Sequence, residues 1–263
     1  MNCLVFISKY LKYKFFSRHR KAHGIHSPFL FKFINQVLLN KMEANELIML
    51  NGSGRAAEID PRFHLIDSCT IWGNLCTIEK KHQKEEISVW TVRNKFSNFL
   101  FNLYAFVDPE IVLEMGNGKG ISAFCLSLPG DGRVKYIIEE NGTIQKTSED
   151  FYNKLNLSGV SYLQENQVDK IRVACENSKG NFLAMIHLDS EMEVLPEYFK
   201  SLVNNYSSHS VIVCSGIHKS ELSEQNWKIL QQVDNVRLTI DLFYLGILFF
   251  KEELQKENYM INF

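Results

Sequence analysis

The chain has 263 residues, of which 45% are hydrophobic and 22% charged, with a net charge of -1. That is ordinary globular composition, with room for one large domain and an appendage or for two small ones. It argues against a disordered chain and against a molecule that binds polyanions over its whole surface.

The charge is uneven. Met1 to Met42 carries eight Lys or Arg and no Asp or Glu, so the head is +8 and the remainder -9. Such a head can touch nucleic acid as an RNA-gripping arm, an anionic membrane or an acidic substrate. A solvated face with contacts to the acidic body explains it too, as does a helix that docks on a second subunit, giving a homodimer. Little of the aromatic–basic interleaving of RNA modules is present, which argues against nucleic acid, although Tyr10, Tyr13, Phe15 and Phe16 sit among lysines.

The six cysteines are Cys3, Cys69, Cys76, Cys125, Cys175 and Cys214, with no C-x-x-C pair. They read as small core residues in a reducing compartment. His64 with Cys69 and Cys76 fits no common zinc spacing. The apolar run Cys3 to Ile7 is too short for a signal peptide. Leu242 to Phe250 falls well below the ~20 residues of a membrane span. The expectation is a cytoplasmic protein without a span.

In chain order, Leu4 to Phe16 reads as a helix, with Leu4, Ile7, Leu11 and Phe15 near one face and Lys9, Lys12 and Lys14 elsewhere. Gly24 interrupts it. Ser27 before Pro28 starts a second helix, with Ser as N-cap and Pro in the first turn, running through Phe29, Phe33, Ile34 and Val37. Residues 40–84 are punctuated by "NGSGR", Asp60-Pro61 and Gly73-Asn74, and predict short helices and loops. A helix returns over 92–106, with Phe96, Phe99, Leu100 and Leu103 on one stripe. The expected division is a helical, irregular N-terminal region over 1–84 and an α/β domain over 85–263.

After Pro109 short apolar runs alternate with amphipathic segments. The runs are 110–115, 134–139, 160–164, 182–187 and 210–215; the segments are 119–128, 142–155, 167–176, 194–205 and 221–232. This predicts a doubly wound, mainly parallel sheet whose central strands are buried on both faces. The runs 236–242 and 244–250 leave no room for a crossover helix, so they form a terminal antiparallel hairpin. Seven strands are expected. Gly246 inside the last implies a bulge or a close neighbour, and Trp227 reads as helix packing.

The informative stretch is "EIVLEMGNGKGIS", residues 110–122. A strand must turn sharply into a helix here. Gly116 permits an unusual φ, while Gly118 and Gly120 remove Cβ atoms that would block a ligand. Ligands of open α/β sheets sit in this crevice. A dinucleotide fingerprint would want glycine at position 121, which is Ile121. Glu114, two residues before the first glycine, suits a cation such as an amino acid's ammonium and repels a pyrophosphate. The second strand ends in Glu139-Glu140, and an acid there can accept hydrogen bonds from both hydroxyls of a ribose. An amino acid joined to a nucleoside is S-adenosyl-L-methionine. The alternative is a tight strand–helix turn in an unrelated α/β domain.

With these residues the chain resembles the class I, Rossmann-like S-adenosylmethionine-dependent methyltransferases. "EMGNGKGIS" is similar to the E-x-G-x-x-x-G-x-S turn of the small-molecule O-methyltransferase branch. More closely, the chain resembles an uncharacterised methyltransferase family common in Bacteroidetes, which opens with a basic helix and H-G-[IV]-H-S-P-F, matched by His23 to Phe29. It closes with a strand pair like "LTIDLFYLGILFF". The resemblance implies that Gly116, Asn117, Gly118 and Gly120 line the methionine part of the cofactor. It implies that Glu114 lies near the ammonium, that Ser122 binds the carboxylate and that Glu139 takes the ribose. Gln164 to Asn166 would border the adenine.

The chain also departs from that pattern. After the fourth strand His187 stands where an acid is usual, and after the fifth Ser215 and Gly216 replace two acids. "IWGNL" (71–75) stands where D-F-G-A-G is usual. In metal-dependent O-methyltransferases those acids hold a divalent cation, so no metal site is expected here. His187 is a candidate general base or a packed strand-end histidine, and His218 either faces the substrate pocket or braces its loop. His23 and His26 read as structural. The leading expectation is a methyltransferase acting on a small molecule. The alternative is a degenerate module of the same fold that binds cofactor or a partner without turnover.

Overall fold

The computed structural model describes residues 3–17, 27–40, 95–115, 135–139, 160–164, 168–179, 181–188 and 197–263. For a few of these, Glu139 and Gln164 among them, it describes the backbone alone. The helices expected over 119–128 and 142–155, and the loops of 41–84, lie outside the described residues.

Eight strands pair in one sheet: β1 Ile111–Met115, β2 Lys135–Glu139, β3 Val160–Gln164, β4 Phe182–His187, β5 Val211–Ser215, β6 Leu238–Asp241, β7 Leu245–Phe249 and β8 Glu257–Met260. Their order is β3-β2-β1-β4-β5-β7-β6-β8. All neighbours are parallel except those of β7, which runs against both β5 and β6. The chain winds outward from β1 to β3, then returns to the other side of β1 as β4. The β1/β4 seam is therefore the point where the winding reverses, the place at which open α/β sheets bind their ligands, at the carboxyl ends of the strands.

The expected count of seven strands is corrected by β8, and the β6–β7 hairpin is not terminal. "ENYM" escapes a reading by apolar runs because β8 is an edge strand in which Tyr259 is the buried residue. Backbone bonds supply its pairing: Glu257 N donates to Arg237 O at 2.9 Å and Ile261 N to Asp241 O at 2.9 Å.

Central strands bury both faces, which is why they read as mainly apolar runs. On one face Val112, Leu183, Met185, Val213, Ile240 and Ile247 meet two helices, α2 (Pro28–Phe33, continuing in a π turn Ile34–Leu38) and α3 (Lys95–Val107). On the other, Leu113, Phe182, Ala184, Ile212 and Leu248 meet α4 (Val168–Asn177), α5 (Glu197–Asn204) and α6 (Glu221–Gln232). Burying each such side chain contributes ~1.5–3 kcal/mol. Cys175 and Cys214 are buried in this second layer, where burial pushes the Cys175 thiol up to about 12. They are packing groups, as expected.

The helix signals hold. Ser27 caps α2, its Oγ accepting from Leu30 N at 3.3 Å, with Pro28 in the first turn. Ser220 caps α6 through Ser223 N at 3.0 Å. Gly246 answers to a close neighbour: a Cβ there would lie 2.5 Å from the ring of buried Trp227. Trp227 fills that space, so the pair fastens α6 to β7.

The N-terminal helix, α1 (Cys3–Phe16 in this numbering), docks on the β6–β7 turn. Phe6, Tyr10 and Tyr13 pack around Phe243, with ring centroids 5.0–5.3 Å apart. The Tyr13 hydroxyl donates to Ile261 O and Lys14 Nζ to Asn262 Oδ1. Phe243 has φ 69°, an unusual conformation for a bulky residue. It persists because Asp241 Oδ1 accepts from Phe243 N at 2.7 Å and because the rings of α1 enclose it.

Candidate functional site

Three polar side chains converge at the carboxyl end of the β1/β4 seam. In the β1–β4 ladder Glu114 pairs with Met185, which puts it on the same face as His187 two residues further along β4. In the β4–β5 ladder His187 pairs with Ser215. Leu188 N donates to Ser215 O at 3.0 Å, carrying the ladder past the histidine and fixing its position. Across three adjacent strands the side chains then form a chain. His187 Nδ1 lies 2.8 Å from Ser215 Oγ, and His187 Nε2 lies 3.3 Å from Glu114 Oε1.

Glu114 is 1% exposed and His187 5%, so each shields the other's polar atoms in an otherwise apolar layer. An ionised carboxylate only accepts. The neutral imidazole that satisfies both neighbours carries its proton on Nε2, donates it to Glu114, and accepts at Nδ1 from the Ser215 hydroxyl. Ser215, last residue of β5 and half-buried, is the outer end of the chain.

His218 lies elsewhere. It follows Gly216, whose φ of 75° turns the backbone out of β5. His218 Nε2 meets Asp241 Oδ2 at 2.8 Å and Nδ1 meets Glu224 Oε1 at 3.1 Å. Glu224 Oε1 in turn takes Lys9 of α1 at 2.8 Å. Two carboxylates, one at each ring nitrogen, require two donors and therefore the imidazolium. Burial alone would lower the His218 pKa. Asp241 first and Glu224 second outweigh it and leave the pKa raised. Glu224 shows the mirror case: burial raises it, but Lys9 and His218 bring it below its usual range. This cluster ties α1, α6 and β6 together.

Of the residues expected to bind a cofactor, Glu114 and the backbone of Glu139, last residue of β2, are described. Gly116, Asn117, Gly118, Gly120 and Ser122 lie outside the described residues. So do His23, His26, His64, Cys69, Cys76, Cys125 and the "IWGNL" stretch. Sequence reasoning missed Ser215, Glu224 and Asp241 as histidine partners. Strand ends of adjacent βα units are side by side, so His187 and Ser215 could have been paired by register. No sequence spacing brings Asp241 or Glu224 to His218. Among the described residues no three His, Cys, Asp or Glu side chains group as a metal site.

No protein family and no curated protein matches the sequence. Solved structures do match in fold. The S-adenosylhomocysteine-bound methyltransferase PaMTH1 of Podospora anserina superposes with a TM-score of 0.52 at 10% identity, covering 87% of this chain and 97% of that one. A caffeoyl-CoA O-methyltransferase-like protein from Staphylococcus aureus gives 0.51 at 10% identity, over 79% and 99%. Cofactor-bound Rv0187 from MTB gives 0.50 at 13% identity, over 81% and 100%. At such identities the likeness shows a shared fold: this chain has the Rossmann-like sheet of those methyltransferases.

Proposed function

We propose that this protein is an S-adenosyl-L-methionine-dependent methyltransferase acting on a small molecule, without a bound divalent metal. The observation that carries the reading is the buried Glu114 carboxylate at the carboxyl end of β1, beside the seam where the winding reverses. It combines with the sequence of the following turn, G-x-G-x-G-x-S, and with a fold shared with proteins whose structures hold S-adenosylhomocysteine or cofactor.

By residue type the chain fits that group. Glu114 supplies negative charge for an ammonium, and Gly116, Gly118 and Gly120, with Asn117 between them in sequence, lack the Cβ atoms that would obstruct it. Ser122 carries a hydroxyl for a carboxylate, and Glu139 an acceptor for ribose hydroxyls. When bound there, the cofactor supplies an electrophilic methyl on a sulfonium. The protein's part is alignment of the acceptor, which can be worth ~7–11 kcal/mol.

The proton has a route in the chain's own side chains. Ser215 takes the acceptor's proton as its own passes to His187 Nδ1, and Glu114 balances the imidazolium so formed. This is why no metal is inferred. Where the resembled family has acids, His187 and Ser215 stand, bonded to one another, and Gly216 follows them. His218 is assigned to holding α1 rather than to chemistry, because both its nitrogens are taken by carboxylates.

A second reading, binding without turnover, is favoured by the same bond: a histidine held at both nitrogens needs no substrate to satisfy it. Incubating the purified protein with methyl-labelled cofactor and a small-molecule extract separates the two. Label in an extract compound, lost in Ser215→Ala, supports the first. Tight cofactor binding with no transferred label supports the second.

A further inference from the structure

We propose that the outward face of α1 is a docking surface for an anionic lipid bilayer. The helix has two apolar faces. Phe6, Tyr10 and Tyr13 occupy the face that packs on Phe243. The other, with Ile7, Leu11 and Phe15 at i, i+4 and i+8, points away from the protein. Leu11 is 62% exposed, Phe15 84% and Phe16 66%. Single exposed hydrophobics are common, but a continuous helical stripe of them marks an interaction site. Phe15 and Phe16 stack edge to face at 5.3 Å at the helix's end, a pair of rings suited to the interfacial zone.

Charge identifies the occupant. Lys12 is exposed on α1, a helix that carries three lysines and no acid. A second copy meeting this face across a two-fold axis would bring like charges together with no acid on the helix to answer them. An RNA would answer the charge but leave Ile7 and Leu11 in water. An anionic bilayer answers both, taking the stripe among its acyl chains and the cations among its headgroups. The helix has 14 residues, short of the ~20 needed to cross, so it lies along the surface. Tyr13, Lys9 and Lys14 hold its inner face to the protein, so the helix is presented already formed.

The test is flotation of the full-length protein with vesicles of phosphatidylglycerol and phosphatidylcholine in equal parts, and with phosphatidylcholine vesicles alone. Expected are co-flotation with the anionic vesicles, weakening at high salt, and at least ~10-fold weaker binding to the neutral ones, since each basic residue near the surface adds roughly fivefold. Leu11→Glu with Phe15→Glu should abolish flotation while leaving the thermal transition in place, because both side chains are exposed. Light scattering and an RNA shift assay on the same samples give the contrary outcomes. Failure to float, flotation unaffected by the double variant, a dimer that the variant splits, or RNA binding that the variant abolishes would each overturn the proposal.

Discussion

His187 and His218 both sit just past or at the end of a central strand, yet they are held in opposite ways. His187 is enclosed, with one carboxylate and one hydroxyl as partners. His218 is half-exposed, with a carboxylate at each nitrogen and a lysine behind one of them. The difference matches the two roles proposed for them. A hydroxyl partner leaves a ring nitrogen able to receive a proton, as the proposed chemistry needs. Two carboxylates hold a proton in place, as a structural tie needs.

Replacing each histidine should separate the two roles, and the largest effect is expected at the enclosed one. His187→Ala removes the imidazole partner of a buried carboxylate and should cost on the order of 3 kcal/mol in urea unfolding. Equal loss on His187→Ala and His218→Ala would break the contrast. Asp241→Asn keeps an acceptor for Phe243 N but removes charge from His218. It should cost ~1–2 kcal/mol near pH 6, and less near pH 9, by chemical denaturation at the two pH values. Ser215→Ala should cost only ~1 kcal/mol in stability while eliminating methyl transfer, a split that a purely structural hydroxyl would not show. Lys9→Met, at a part-exposed pair, should cost less than ~1 kcal/mol, and that loss should fade in high salt.

The pH dependence carries its own signature. His218 is raised above its ordinary 6.5, so its stabilisation is complete below about that pH and disappears as pH climbs through the folded value. Glu224 is lowered from 4.5, so its share is complete above about that pH and disappears as pH falls through the folded value. The cluster's contribution should peak between these two limits. In His218→Gln the alkaline decline in unfolding free energy should flatten, and an unchanged profile would remove the cluster as its source.

Much of the architecture was legible because strands buried on both faces must be mainly apolar, and β1, β4, β5 and β7 are. The edge strand β8 was not, since a strand with one covered face and polar neighbours looks like a tail. Helix α1 was legible as a helix but not in its orientation. The sequence puts Ile7, Leu11 and Phe15 near one face without saying which face docks, and Phe6, Tyr10 and Tyr13 do. The winning contact is aromatic and depends on Phe243, far away in sequence. At the site, Glu114 and His187 were visible as unusual polar groups at strand ends. Their bonding was not, because it depends on the register of three strands.

Isothermal titration of the purified protein with S-adenosylhomocysteine tests the proposed cofactor site most directly. One-site saturation below ~1 mM, weakened at least ~10-fold in Glu114→Gln with folding intact, is the predicted result. No heat of binding at millimolar ligand, or binding indifferent to Glu114, would contradict it.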